Sequence, residues 1–357
     1  MNRYNKPSFA TGHHQEGHPA VGVVSVKDVA ALAGVSAGTV SNVLNNPERV
    51  SAATIDRVQR AVDQLGYVRN GAARQLRAGH SRSIGLIVLD VGNPFFGELI
   101  RGAEDKAVEA GLTVLVSDSR EHPDREKTQV ELFEEQRVRG VLLSPVVEAW
   151  PAVERLRSRG IPVVLVDRAL SDTSVSSVSV NDVAGGELAV AHLIEQGRRH
   201  IAFVGGPMNI RQVTDRLEGA RKAVSEHSGV AFEVIETREL TVPAGLDAAA
   251  RLATREAADR PDAVFAANDL LAFGVLQGLI VNGGLRVPDD LMLVGYDDID
   301  FAQAAIVPLT SIRQPARRIG ETGIELLLAE AEGSGDFTPR QVVYQPALVK
   351  RASTASP

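Results

Sequence analysis

Near the N-terminus, apolar residues recur at helical spacing in three short stretches. The first contains Val29, Ala30, Leu32 and Ala33 and is followed by Gly34, which is free to take the positive φ of a helix C-terminus. Ser36 then stands at the N-cap position of a second helix, predicted over Ala37 to Leu44, and a third pattern ends at Leu65. The short turn and the small, polar outer face of the second helix favour a helix-turn-helix over a generic three-helix bundle.

From Ile84 onward, strand-like apolar runs alternate with amphipathic helical stretches. Near-continuous Val, Ile and Leu runs bounded by helices predict parallel strands covered on both faces. The runs are 84–90, 112–118, 140–145, 161–167, 177–182, 201–206, 263–269 and 291–298. About 270 residues exceed one hydrophobic core, which predicts two lobes. The expected fold class is a small all-α helix-turn-helix head plus an α/β core of two parallel-sheet lobes.

Charge separates the same two regions. Between Val24 and Ser83 there are eight Lys or Arg against four Asp or Glu, a net of +4, whereas the whole chain has a net charge of −7. The remainder from Ile84 is therefore strongly acidic. A basic head on an acidic body predicts that attraction to phosphates is confined to the head.

Several classes of protein are disfavoured by missing features. The chain has no Cys, so thiolate chemistry, disulfides and Cys-based metal sites are excluded. It has no GxxxxGK[ST] or HExxH motif, and its Gly-rich pieces lack a dinucleotide fingerprint. An aspartate-based phosphotransfer enzyme could use strand-end carboxylates, but nothing marks a nucleophile with a partnered base. We expect no enzymatic activity, no cofactor, no metal site and no membrane span.

Residues 1–23 are predicted to form a disordered extension, or to be an upstream stretch from a misassigned start. The alternative, a metal-binding tail, rests on His13, His14 and His18 among Gly and Pro.

The segment 70–83 is expected to be a hinge. Gly71 and Gly79 bracket about seven good helix formers, and an isolated helix of that length is marginal in water. We expect it to become ordered only when a partner supplies contacts, and DNA is the expected partner. A flexible linker is the alternative.

The stretches DVAALAGVSAGTVSNVLN and VSAATIDRVQRAVDQLGYVRNGAARQLR resemble the DNA-binding domain of the lactose-repressor (LacI/GalR) family of bacterial transcription regulators. The similarity continues to LVKRAST near the C-terminus. It implies that Ala37, Gly38 and Asn42 read base edges in the major groove. It also makes four polar residues available for phosphates: Ser36, Thr39, Ser41 and Asn45.

The resemblance implies further roles in DNA binding. Ala37 and Gly38 are too small to hydrogen-bond a base through a side chain, so direct readout is expected to rest on Asn42, whose amide can pair with adenine. The family's hinge helix pairs with that of its dimer mate and pushes a leucine between base steps of the minor groove. That leucine corresponds to Leu76, with Arg77 beside it.

Polar residues follow many of the predicted strands. In open α/β sheets, ligands bind in the crevice outside the strand ends, so two facing lobes predict a cleft lined by these residues. Asp118 and Asp269 are expected to cap the following helices instead.

The family's regulatory core resembles periplasmic sugar-binding proteins, which implies ligand contacts from eleven positions. These are Asp90, Asn93, Phe95, Phe96, Asp167, Arg168, Asn181, Arg216, Asn268, Asp297 and Gln314. Carboxylates and arginine can bind vicinal hydroxyls while a phenylalanine ring covers a C–H face, which favours a sugar or other polyol. The purine-binding branch of the family has an arginine where this chain has Ile210, which argues against a purine.

The sequence therefore predicts a cytoplasmic, homodimeric, operator-binding repressor controlled by a small-molecule effector, with a sugar as the expected class. The expected domains are a disordered extension (1–23), a helix-turn-helix DNA-binding domain (24–69), a hinge helix and linker (70–83) and a two-lobed effector-binding and dimerisation core (84–357). The alternative is a non-regulatory sugar-binding protein of the periplasmic type, which would need a secretory signal that no segment supplies.

Overall fold

Residues 24–67, 81–146, 150–168, 173–333 and 337–355 are described in a computed structural model. They form two compact units, a helical unit (24–67) and an α/β unit (81–355). The extension predicted over 1–23 lies outside the described residues. So does most of the predicted hinge, including Leu76 and Arg77.

The helical unit contains α1 (Val26–Ala33), α2 (Ala37–Asn45) and α3 (Ala52–Leu65), with a 3₁₀ turn at Pro47–Arg49. Gly34 ends α1 with a φ of 63°, the left-handed conformation that glycine adopts without strain. Ser36 caps α2, because its hydroxyl accepts the Thr39 N–H at 3.0 Å. Side chains from all three helices share one apolar core, centred on Val29, Val40 and Val58.

The α/β unit alternates strands and helices in the order predicted by the apolar runs. Its strands are β1 (Ser83–Val88), β2 (Thr113–Asp118), β3 (Gly140–Leu143), β4 (Val163–Val166), β5 (Ser176–Val180), β6 (His200–Gly205), β7 (Ala231–Glu236), β8 (Ala263–Ala266), β9 (Met292–Asp297), β10 (Thr310–Arg313), β11 (Gln341–Tyr344) and β12 (Ala347–Val349). Its helices are α4 (Pro94–Glu109), α5 (Pro123–Glu135), α6 (Trp150–Ser158), α7 (Asp182–Glu195), α8 (Arg211–Ser225), α9 (Val242–Ala253), α10 (Asp269–Gln277), α11 (Phe301–Ala304) and α12 (Ala316–Glu332). A π-helical turn (Gly278–Asn282) follows α10, and a 3₁₀ turn (Ala352–Thr354) follows β12.

The strands form two six-stranded sheets, one in each lobe. The N-lobe sheet has the order β11-β5-β4-β3-β1-β2 and is parallel throughout. The C-lobe sheet has the order β12-β10-β9-β8-β6-β7 and is parallel except for β12, which runs antiparallel to β10. The chain passes between the lobes three times: after β5, after β10, and between β11 and β12. The strand ends of the two lobes therefore meet at the crossings.

Three helix pairs pack at unusually short range through reciprocal glycines. A Cβ on Gly102 of α4 would overlap the Arg317 carbonyl oxygen, and a Cβ on Gly320 of α12 would overlap that of Leu99. Gly186 and Gly219 allow the same close contact between α7 and α8. Gly245 and Gly274 allow it between α9 and α10. Any larger side chain would push the paired helices apart.

The predicted fold class is confirmed: a helical head and two parallel-sheet lobes. Each of the eight apolar runs contains a strand, but β7, β10, β11 and β12 were not predicted. β7 lies at a sheet edge with most of its residues partly exposed, and β12 has only three residues. Such strands carry too little continuous apolar sequence to be recognised. Among the described helices, none is long and apolar enough to cross a membrane.

Candidate functional site

The outer face of α2 presents the residues predicted to contact DNA. Ser36, Ala37, Gly38, Asn42 and Asn45 are exposed. Thr39 and Ser41 are partly buried. Val40 and Val43, on the opposite side of α2, are buried in the core and so fix the orientation of this face. A short, exposed helix face with small residues at its N-terminus can approach the edges of base pairs closely.

The polar side chains on this face differ in how firmly they are held. Ser36 and Thr39 bond each other through their hydroxyls at 2.9 Å. Asn45 donates to the Ser41 carbonyl oxygen at 2.9 Å, which ties it to its own helix. Asn42, by contrast, projects from the exposed side of the helix. Its exposed position is compatible with the base readout predicted for it.

In the α/β unit, a cavity of about 30 Å³ lies between the lobes at the carboxyl ends of the strands. Its lining consists of Leu89, Asp90, Asn93, Phe95, Phe96, Glu121, Asp167, Ile210, Gln212, Arg216, Leu240, Asn268 and Asp297. A wider cavity of about 400 Å³ adjoins it and shares Asp90, Glu121 and Leu240 in its lining. A volume near 30 Å³ holds a water molecule or two, so a larger ligand requires the lobes to separate.

Two sets of hydrogen bonds join the lobes across the inner cavity. Asn93, at the N-cap of α4, donates from Nδ2 to Asp297 Oδ2 at 3.0 Å. Gln212, in the first turn of α8, donates from Nε2 to the Asp167 carbonyl oxygen at 2.6 Å and to its Oδ2 at 2.9 Å. Gln314, at the second crossing, donates to Asp297 Oδ1 at 2.8 Å. The two aspartates at the ends of β4 and β9 are thus the hubs of the cleft.

Arg216 is held within the C-lobe on three sides. Its Nε donates to Asp182 Oδ1 at 2.8 Å, and its Nη1 donates to the Ala267 carbonyl oxygen at 2.8 Å. Its guanidinium carbon lies 3.8 Å from the centroid of the Tyr296 ring. Burial would lower the pKa of Arg216, but the neighbouring Asp182 carboxylate raises it, so the guanidinium stays charged.

The cleft disfavours ionised carboxylates. Burial, reinforced by the charge of Asp182, raises the pKa of Asp167 to about 8. Burial and the nearby Asp90 raise the pKa of Glu121 to about 7. Burial also raises the pKa of Asp297, although Arg216 and the donated hydrogen bonds oppose it. Closing the lobes over these carboxyl groups therefore favours their protonated forms.

The two hub aspartates also adopt backbone conformations that non-glycine residues rarely take. The φ angle is 57° at Asp167 and 105° at Asp297. Such angles cost free energy and persist where the surroundings impose them, as they do at binding sites. Here they aim both carboxyl groups into the cleft.

Eight of the eleven predicted ligand positions line the cavity, and three do not. Arg168 lies near the buried Glu126, and its charge acts to lower the pKa of that carboxyl against the effect of burial. Asn181 caps α7 by accepting the Ala184 N–H at 3.0 Å. Gln314 reaches the site only through Asp297.

The two predicted helix caps were wrong. The Asp269 carboxylate accepts the Ser311 hydroxyl at 2.6 Å and the Ile299 N–H at 2.9 Å, so it ties β10 and the loop after β9 to α10. The N-cap of α10 is Asn268, and that of α5 is His122 rather than Asp118.

Five lining residues were not predicted as ligand contacts: Leu89, Glu121, Ile210, Gln212 and Leu240. Glu121 lies three residues beyond β2, and Gln212 is in a helix, so neither is a strand-end residue. The helix that follows each strand places its first turn at the same crevice, and this is the signal that could have found Gln212. The described residues contain no group of three or more His, Asp or Glu arranged to hold a metal ion.

Comparisons with known proteins agree with this architecture. Residues 25–70 match the family model of bacterial regulatory proteins of the lacI family, and residues 190–354 match a periplasmic binding protein-like domain. The ribose operon repressor of Escherichia coli (strain K12) is 35% identical over 93% of this chain and 100% of its own length.

Two solved structures are also similar. One is a complex of the transcriptional regulator CelR with cellobiose, with a TM-score of 0.69 and 33% identity over 92% of this chain and 99% of that one. The other is a lac repressor dimer bound to operator and the anti-inducer ONPF, with a TM-score of 0.80 and 29% identity over 93% of this chain and 99% of that one. Identity of this extent over nearly the full length of both chains shows a common family. This chain belongs to the lacI family of bacterial regulatory proteins.

Proposed function

We propose that the protein is a homodimeric, operator-binding repressor in the cytoplasm, and that a small neutral sugar in the interlobe cleft sets its affinity for DNA. The observation that carries the choice of effector is a pair of buried polar oxygens that lack a hydrogen-bond partner. Asp167 Oδ1 and Gln212 Oε1 are buried without a hydrogen-bond partner, and both residues line the cavity. A ligand rich in hydroxyl groups, which both donate and accept hydrogen bonds, would satisfy them.

The charge of the cleft supports a neutral ligand over an anionic one. Four carboxyl groups line the cavity, from Asp90, Glu121, Asp167 and Asp297. The single lining cation, Arg216, is already paired with Asp182. A phosphate in the inner cavity would meet acids that either repel it or, when protonated, offer no charge, and the lining there holds no free cation to pair with it. Phe95 and Phe96 supply the apolar surface that packs against the C–H face of a sugar ring.

The DNA-binding part of the proposal rests on the exposed face of α2 and on the net positive charge of the head. The similar lac repressor was solved as a dimer on operator DNA. A second copy of this chain has apolar surface to pack on, because Val116 of edge strand β2 and Val234 of edge strand β7 are both exposed.

The proposed coupling has two linked equilibria. Effector binding changes the angle between the lobes, and this changes how the two cores of the dimer lie against each other. That arrangement would set the separation of the two 70–83 segments, which insert Leu76 only when they meet at the operator. The free energy that couples effector binding to DNA binding equals the difference between the binding free energies of the effector in the two core arrangements.

A thermal-shift screen of the full-length protein tests the effector class. The panel should include D-ribose, cellobiose, D-ribose 5-phosphate and the purines guanine and hypoxanthine. We expect a neutral sugar to raise Tm, since a ligand at 100 times its Kd stabilises by about 2.7 kcal/mol. Asp297→Asn should abolish the shift. A response to a purine or to the sugar phosphate alone would contradict the proposal.

A further inference from the structure

Gln212, like Asn93, donates hydrogen bonds from one lobe to the other across the cleft. It belongs to the C-lobe, yet its Nε2 donates both to the backbone carbonyl and to the carboxyl group of Asp167 in the N-lobe. Only 5% of Gln212 and 4% of Asp167 is exposed. The amide therefore holds the two lobes together at the centre of the contact.

The remaining oxygen of each partner indicates what this contact replaces. Gln212 Oε1 and Asp167 Oδ1 have no hydrogen-bond partner and are shielded from solvent. Buried polar atoms are nearly always bonded, and each unmet atom costs free energy. The contact satisfies the donors of the amide but leaves one oxygen unmet on each side, an acceptor on Gln212 and the carboxyl hydroxyl on protonated Asp167. The hydroxyl groups of a ligand both donate and accept, so they could bond to both oxygens.

Gln212 is also free to move in a way that Asn93 is not. Asn93 bridges the lobes as well, but its Oδ1 caps α4 by accepting the Phe95 N–H at 3.0 Å, so it is fixed to its own lobe. The two hydrogen bonds that the Gln212 side chain donates both go to Asp167 of the opposite lobe. When the lobes separate, its three side-chain torsions allow it to swing into solvent.

We propose that Gln212 is an internal competitor of the effector: its amide occupies on Asp167 the donor position that an effector hydroxyl takes, and so latches the cleft shut. The identity of the ligand rests on the proposed function, whereas the latch rests only on the contact between Gln212 and Asp167. An effector then binds only the fraction of molecules in which the latch is open, and its apparent affinity is reduced by that fraction. Gln212 would thereby set the effector concentration at which the protein responds.

The latch can be tested without any ligand, because the chain contains no Cys. Cysteines introduced at two exposed positions, Glu154→Cys in the N-lobe and Glu218→Cys in the C-lobe, give a unique pair for fluorescent dyes. Labelled chain is mixed with excess unlabelled chain, so that each dimer carries one dye pair. Single-molecule energy transfer in the full-length protein then reports the separation of the lobes.

We expect Gln212→Ala to shift the transfer distribution to lower efficiency and to broaden it. Gln212→Met, which keeps the length of the side chain but has no hydrogen-bond donor, should do the same. The matched control is Thr214→Ala on the same helix, because the Thr214 hydroxyl bonds only its own turn at Arg211. An unchanged distribution in both Gln212 variants would overturn the latch.

Calorimetric titration with D-ribose tests the competition. If Gln212 competes with the effector, Gln212→Ala binds about tenfold more tightly than the wild type, the factor expected for loss of one to two hydrogen bonds from the closed form. If Gln212 is instead an ordinary effector contact, the variant binds more weakly, and the inference is wrong. If no sugar binds the wild type, the proposed function fails, while the distance measurement still decides the latch.

Discussion

Arg216 is expected to have two separable roles, one in the stability of the C-lobe and one in the cleft. Its side chain and that of Asp182 are only 5% and 8% exposed, and they form an ion pair at 2.8 Å. The guanidinium also binds the Ala267 carbonyl oxygen and stacks on Tyr296. Replacing Arg216 alone would leave the Asp182 carboxylate buried without its partner.

The magnitude follows from that burial. Removing one partner of a buried ion pair costs about 3–5 kcal/mol, whereas replacing both partners with apolar residues is often close to neutral. For a domain of 150–250 residues, each kcal/mol lowers Tm by about 2–4 °C, so Arg216→Met should lower it by roughly 6–20 °C. Arg216→Met combined with Asp182→Leu should recover most of this loss. The recovery should fall short by up to about 1 kcal/mol, because Asp182 also favours the N-terminus of α7.

The assay is a thermal melt of each variant with and without D-ribose. We expect the double variant to melt near the wild type but to show no ribose shift, since the charge that lines the cavity is gone. A wild-type Tm for Arg216→Met would refute the structural role of the ion pair. A normal ribose shift in the double variant would refute its role in the cleft.

Four further outcomes are expected. In urea melts, Gly102→Ala should destabilise the protein by about 1–3 kcal/mol, because the new Cβ meets the α12 backbone. Gly97→Ala is the control on the same helix: its Cβ enters open space, so it should be neutral or stabilise by up to about 1 kcal/mol. Between pH 4 and 8 the folded protein keeps a proton on Asp167 that the unfolded chain loses, so stability should fall as pH rises through this window. The Tm of Asp167→Asn should lack that part of the slope, and parallel pH profiles of the two proteins would contradict the raised pKa. Asn42→Ala should relax discrimination at one base pair by about 1–3 kcal/mol in a binding-site selection. Leu76→Ala should weaken operator binding in gel-shift titrations far more than it changes Tm, and near-wild-type affinity would exclude the wedge role.

The parts of the fold that were predicted are those fixed by local sequence. Continuous apolar runs such as 84–90 specify buried parallel strands wherever they occur, and Gly34 and Ser36 mark helix ends through backbone chemistry alone. β12 depends on pairing with β10, more than thirty residues away in the chain, and its own three residues carry no pattern. Its position is set by tertiary contact rather than by propensity.

The site shows the same division. The strand-end rule places Asp167 and Asp297 at the cleft, because parallel strands share an edge and ligands bind outside it. The family resemblance added Asn181 to the predicted ligand contacts, but Asn181 instead caps the helix that begins at the next residue. Neither the rule nor the resemblance specifies side-chain direction.

The sequence alone does not reveal which polar groups pair across the cleft. Asn93 and Asp297 are 204 residues apart and meet only because the chain crosses between the lobes three times. Gln212 carries no sequence mark of function, since a glutamine early in a helix is ordinary. Its role depends on a partner in the other lobe and on the buried oxygens that remain unmet. The residues that line the cleft can thus be approximated from strand ends, whereas a residue that we propose to oppose effector binding becomes visible only when both lobes are in place.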